Sequence, residues 1–212
     1  MLKVFITIFF GISATYLVSL LLKKRNIEVV TKICLLPSLL GVYVCGAENL
    51  FVPVIFALIF GWGGDVFLLK ISDIRFFRLG LASFLIGHLC YIPSFIFFTE
   101  RINGIVLLIS IALGFPLCFV IYLIIKPEKA VSLYVIAYEI IIMLMSLSAL
   151  QLMLSRRDIR GLLVFAGSLC FLVSDTLLAC FTFRGKVKYG NFFVILFYIA
   201  AQSAIIGGMM GV

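Results

Sequence analysis

The sequence predicts an all-α, polytopic integral membrane protein built as an eight-transmembrane-helix bundle, and three observations carry that expectation. Hydrophobic residues make up 65% of the 212 positions against 12% charged. Mean hydropathy is +1.31, far from the composition of a water-soluble domain. The apolar residues fall into runs of about 20, the length a helix needs to cross roughly 30 Å of hydrocarbon. Alternation of polar and apolar positions over ten residues, the mark of a membrane β-barrel, is absent from runs such as Ile92–Phe98 and Val194–Ala201, which are apolar on every side.

The spans are expected at Val4–Leu22, Thr31–Ala47, Leu50–Leu69, Phe76–Phe98, Gly104–Ile125, Val131–Leu154, Gly161–Phe183 and Asn191–Met209. The first has a long apolar core ending in Lys23-Lys24-Arg25 and no small-x-small exit, so it reads as a retained span rather than a cleaved signal. The second is the shortest at 17 residues and contains Lys32 and Pro37; were it re-entrant, only seven spans would remain. No linker is long enough to join a separate soluble domain, so residues 1–212 are read as one membrane domain.

The 17 Lys and Arg against 9 Asp and Glu give a net charge of +8. They lie in short gaps between apolar runs rather than in a stripe, which points to membrane loops and away from nucleic acid. On alternate sides of an eight-span chain, twelve fall on one face (Lys23, Lys24, Arg25, Lys32, Lys70, Arg75, Arg78, Lys126, Lys129, Arg184, Lys186, Lys188) and five on the other (Lys3, Arg101, Arg156, Arg157, Arg160). The richer face is expected to be cytoplasmic, with both termini outside. The expected location is the cell membrane, or the inner membrane of a Gram-negative cell. All six cysteines fall within spans without a CxxC pair and read as small buried hydrophobes.

Charge at membrane depth is costly, so the ionisable residues inside spans are the informative ones: Asp65, His88, Glu139 and Asp175. Asp65 precedes Lys70 by five residues, about 7 Å of helix, and Asp175 precedes Arg184 by nine, about 13 Å. Because helix direction alternates, all four are expected between the bilayer middle and the basic side, within reach of one polar cavity. Periodicity places His88 with Tyr91, Glu139 with Met143 and Ser146, Ser168 with Phe171 and Asp175, and Tyr198 with Gln202 on shared helix faces. An ion pair of Asp65 with Lys70 is the structural alternative for that carboxylate. Gly61, Gly63, Gly64, Gly80, Ser83 and Gly87 allow close helix contact.

No GxSxG elbow, HExxH pair, P-loop or dinucleotide fingerprint occurs, and one histidine cannot make a three-histidine zinc site, so no metal and no cofactor are expected. What remains is a buried multi-carboxylate site. One carboxyl kept protonated as an acid beside one kept ionised as a base suits hydrolysis through an oxocarbenium ion, and it equally suits a proton-coupled transporter of lipid or small solute.

Several motifs, in order and spacing, resemble the YhhN family, whose animal relatives are the transmembrane lysoplasmalogenases. They are Thr31-Lys32, Gly64-Asp65-Val66-Phe67-Leu68-Leu69, Gly87-His88-Leu89-Cys90-Tyr91-Ile92, Tyr138 through Met143 to Ala149, Gly161–Phe165 followed by Ser174-Asp175-Thr176-Leu177-Leu178-Ala179, and Tyr198–Gln202. The family's lysine-proline pair is broken here, since Ile33 follows Lys32. The resemblance implies hydrolysis of the vinyl ether of a lysoplasmalogen, giving a fatty aldehyde and glycerophosphoethanolamine or glycerophosphocholine. Asp175 would then be the deeper general acid and Asp65 the cation-stabilising base, in a reversible assignment, with Glu139 and His88 orienting water or tuning the pair. Tyr91, Tyr138, Tyr198 and Gln202 would form the polar wall, Lys70, Arg75, Arg78 or Lys186 at the basic rim would meet the phosphate, and the alkyl chain would run between helices among membrane lipid.

Overall fold

A computed structural model of the chain describes residues 1–185 and 187–211; Lys186, one of the rim cations above, lies outside the described residues. Among those residues there are eight long helices: α1 (Leu2–Leu22), α2 (Arg25–Gly46), α3 (Val52–Phe67, extended by a 3-10 turn over Leu68–Lys70), α4 (Ile74–Phe97), α5 (Gly104–Ile125), α6 (Lys129–Arg156), α7 (Ile159–Phe183) and α8 (Gly190–Met209). All eight are long and apolar enough to cross a membrane. The protein is an all-α polytopic membrane bundle.

Local chemistry sets the boundaries. Asp73, Asn103 and Asp158 cap α4, α5 and α7 by accepting from the backbone amides of Arg75, Val106 and Gly161, which satisfies donors the helix leaves unpaired. Lys23, Lys126 and Arg157 end α1, α5 and α6 in the left-handed region. The second span is one continuous helix, long and apolar enough to cross: it begins at Arg25, six residues before the expected Thr31, and runs for 22 residues. Its Pro37 has no amide to give the Ile33 carbonyl one turn earlier. The Trp62 indole of α3 fills that gap, donating to the Ile33 oxygen at 2.9 Å, so the break is repaired by a neighbouring helix, as hydrocarbon requires.

Sequence neighbours pair as hairpins, α1 with α2, α3 with α4 and α7 with α8, while α6 packs against both α4 and α7. Small residues let the backbones approach. A Cβ at Gly87 would lie 3.2 Å from the Ala57 carbonyl, and one at Gly167 would lie 2.8 Å from that of Ala201. α5 sits at the edge against α6 and α7 and contributes nothing to the cavity described below. The cysteines depart from expectation: all six are free, but only Cys118 is buried, Cys34 is exposed and the other four are partly exposed. Cys118 belongs to a small core cluster and Cys90 and Cys170 pack against the main core, so half of them serve as small apolar packing residues.

A carboxylate-lined cavity at the basic end of the bundle

The ends of α1, α3 and α7 and the beginnings of α2 and α8 surround a cavity of about 560 Å³, within the size range of small-molecule sites. This end carries the connections richest in Lys and Arg. Asp65 from α3 and Asp175 from α7 both line it, together with Tyr198 of α8 and Lys32 of α2. Leu20, Phe84, Leu178 and Ile195 are among its apolar walls, so the chamber is amphiphilic: charge toward one end, hydrocarbon around it.

Each carboxylate has its own set of partners. Asp65 Oδ1 lies 3.5 Å from Lys32 Nζ, and Oδ2 accepts from the Tyr198 hydroxyl at 2.6 Å. The pair is recessed, with Lys32 16% and Asp65 4% exposed in their side chains. Lys70 is therefore not the partner of Asp65; its ammonium stands 4.8 Å over the Phe76 ring. On the other side, the Tyr138 hydroxyl of α6 donates to Asp175 Oδ2 at 2.5 Å and lies 2.9 Å from His88 Nε2 of α4. With its own proton committed to Asp175, Tyr138 can only accept from the imidazole, so a neutral ring carries its proton on Nε2. Nδ1 is left buried without a partner among the described residues. His88 Nε2 is also 3.6 Å from Asp175 Oδ2, beyond hydrogen-bond range, which makes Tyr138 the connecting group.

Phe171 stands between the two arms, edge-on to His88 at 4.8 Å and to Tyr198 at 5.6 Å between ring centres. Asp175 is farther from its helix end than Asp65, as expected, yet its side chain is the more open, at 15%. The remaining residues singled out in the sequence separate. Tyr91 donates to Gln202 at 2.9 Å in a fully buried pair behind the cavity rather than in its wall. Glu139 does not reach the main chamber: with Tyr138 and Asp175 it lines a second void of about 30 Å³, room for about one water. Its Oε2 is buried and unpartnered among the described residues. Arg78 is turned away, donating to the Ala130 carbonyl at 2.7 Å with its guanidinium 5.6 Å from the Tyr134 ring. Neither Lys70 nor Arg78 lines the chamber, so the expectation that they meet a phosphate there is not carried by their positions.

Among the described residues the cations that line it are Arg25 and Lys32, with Glu28 between them. Their spacing on α2, i, i+3 and i+7, is a one-face pattern that the sequence contains. Starting the second span at Thr31 hides it, by leaving Arg25 and Glu28 in a loop. Among the described residues no group of three or more His, Cys, Asp or Glu is disposed to hold a metal ion.

Fold and site together define a polytopic membrane protein with a carboxylate-lined chamber buried at one end of its bundle. The chain belongs to the YhhN family, whose family model matches residues 27–209. That stretch begins within α2 and ends with α8, so it takes in both carboxylates and every hydrogen-bonded partner named above. No curated protein and no solved structure matches the chain.

Proposed function

We propose that the protein hydrolyses the vinyl ether bond of lysoplasmalogens, releasing a fatty aldehyde and a glycerophospho-base. The observation that carries this reading is that Asp65 and Asp175, from helices far apart in sequence, share one amphiphilic chamber with separate hydrogen-bond partners. The Lys32 ammonium and the Tyr198 hydroxyl beside Asp65 both favour the charged form of that carboxyl. Asp175 accepts from Tyr138 through Oδ2, and among the described residues its Oδ1 has no protein partner, leaving that oxygen to carry a proton toward the substrate.

The reaction then balances within the pair. Asp175 transfers its proton to the vinyl carbon remote from oxygen, and the oxygen-bearing carbon becomes an oxocarbenium centre. Asp65 stabilises that charge and takes a proton from the water whose oxygen bonds to the same carbon. Collapse of the hemiacetal breaks the carbon–oxygen bond to glycerol. The glycerol oxygen takes the proton held by Asp65 and the hemiacetal hydroxyl returns one to Asp175, so both groups end as they began. The charge demand parallels that of glycoside cleavage. In the orientation favoured by the excess of Lys and Arg, the chamber opens on the cytoplasmic side of a cell membrane with both termini outside.

The test is product analysis with purified protein, offering a vinyl-ether lysolipid beside its ester-linked analogue. Aldehyde release from the former alone is expected, falling about 10²–10⁴-fold in Asp65→Asn and Asp175→Asn. Full turnover by both variants refutes the reading. Movement of lipid or solute into sealed liposomes without its consumption would assign the same acids to a proton-coupled transporter instead.

A further inference from the structure

The first two turns of α2 carry a charged ladder into the chamber. Arg25 is the outermost rung, its side chain 67% exposed and its guanidinium tied at the rim by donating to the Leu69 carbonyl at 3.2 Å. Glu28 is recessed, with 15% side-chain exposure, and its Oε2 lies 3.5 Å from Arg25 Nη1. Its Oε1 has no protein partner among the described residues, and Glu28 is part of the chamber lining. Lys32 follows one turn further in and is held by Asp65. Arg25 to Lys32 covers seven residues, about 10 Å of helix, running from the rim of the chamber to Asp65.

A surface ion pair at this spacing contributes little to stability, and a chamber lined only for hydrocarbon would have no use for it. A cation and an anion side by side at the mouth complement a ligand that carries the opposite pair. We propose that Arg25 and Glu28 form the headgroup subsite of the chamber, selecting a single-chain phospholipid with a primary ammonium, such as ethanolamine, over one with a quaternary ammonium. This rests on the lysolipid reading above and deepens it. The planar guanidinium takes the phosphate oxygens. Glu28 takes the ammonium through N–H donors, which ethanolamine has and choline lacks. Quaternary ammonium groups are held by the faces of aromatic rings instead; a choline lipid would have to use the rings of the lining, Tyr16, Phe84, Phe181 and Tyr198, rather than Glu28.

The experiment measures binding of saturated alkyl-ether lysolipids, which have no vinyl ether to cleave, to the purified full-length protein. Three headgroups are compared: ethanolamine, choline, and glycerophosphate without a base. The ethanolamine lipid is expected to bind about tenfold more tightly than the choline lipid, the worth of one charge-assisted hydrogen bond. Glu28→Gln should erase that ratio, Glu28→Asp should retain part of it, and Arg25→Gln should weaken the base-free lipid as much as the ethanolamine one. A wild-type ratio within about twofold of unity, a ratio unchanged in Glu28→Gln, or no binding of any of the three overturns the subsite. Aldehyde release that ignores headgroup and Glu28 refutes the subsite alone. Selective binding without aldehyde release refutes the vinyl-ether chemistry and leaves the subsite standing.

Discussion

Replacing Lys32 with methionine removes the cation beside Asp65 while keeping an unbranched apolar stem of similar reach. Breaking one side of a fully buried ion pair costs about 3–5 kcal/mol, because the other charge is left without compensation. Here the separation is 3.5 Å, Lys32 is 16% exposed to the chamber, and Asp65 keeps its 2.6 Å bond from Tyr198. Those features lower the expected cost to about 2–3 kcal/mol. On the scale of a chain of 150–250 residues this is about 4–12 °C in melting temperature, measurable by thermal unfolding in detergent micelles. Adding Asp65→Asn removes the stranded charge, so the double variant should recover most of the loss, with a coupling of about 2 kcal/mol. It should also be folded and inactive toward a vinyl-ether lysolipid, separating stability from catalysis. A Lys32→Met cost below about 0.5 kcal/mol, or a double variant no more stable than the single one, would refute the claim that Lys32 and Asp65 compensate each other.

Two further outcomes follow from single contacts. Tyr138→Phe deletes the hydroxyl that joins His88 to Asp175; turnover of the vinyl-ether lipid should fall about 10–100-fold, the worth of one hydrogen bond to a charged group, while the folded fraction on size exclusion is kept, and wild-type turnover would remove Tyr138 from the reaction. At the opposite end of the bundle, the Gly161 amide donating to Asp158, with the Arg156 guanidinium beside it, holds the Asp158 carboxyl below the ordinary carboxylate range. A depressed folded value means the cap's contribution is fully present above the unfolded pKa and disappears as pH falls through the folded one. Asp158→Ala should therefore lower stability by about 1 kcal/mol near neutrality, and the gap between variant and wild-type melting temperatures should close on strong acidification; a gap that widens would contradict that sign.

Much of the architecture is legible along the chain because bilayer thickness imposes a length on every span and hydrocarbon forbids unpaired backbone between them. Gly104–Ile125 emerges with the expected ends, since Asn103 caps its first turn and Lys126 turns left-handed at its last. The second span was legible only as a fragment: its first turn carries Arg25 and Glu28, which a hydropathy reading assigns to a loop, and only the chamber they face explains charge inside a helix. Asp65, His88, Glu139 and Asp175 stood out by the same physics that made them rare, the cost of charge at depth.

What one-dimensional order could not supply is which acid meets which partner. Lys70 is five residues from Asp65 and Lys32 is thirty-three away, yet the ion pair is with Lys32. Periodicity assigns a side chain to a face of its own helix, but rotation and depth relative to other helices come from packing small residues against backbone, as at Gly87 and Gly167. The sequence determined eight spans, their basic end and the acids within them. Tertiary packing alone decided that, of the three acids and one histidine expected around one cavity, Asp65 and Asp175 line the chamber while His88 and Glu139 do not, and that Arg25 and Glu28, rather than Lys70 and Arg78, join them there.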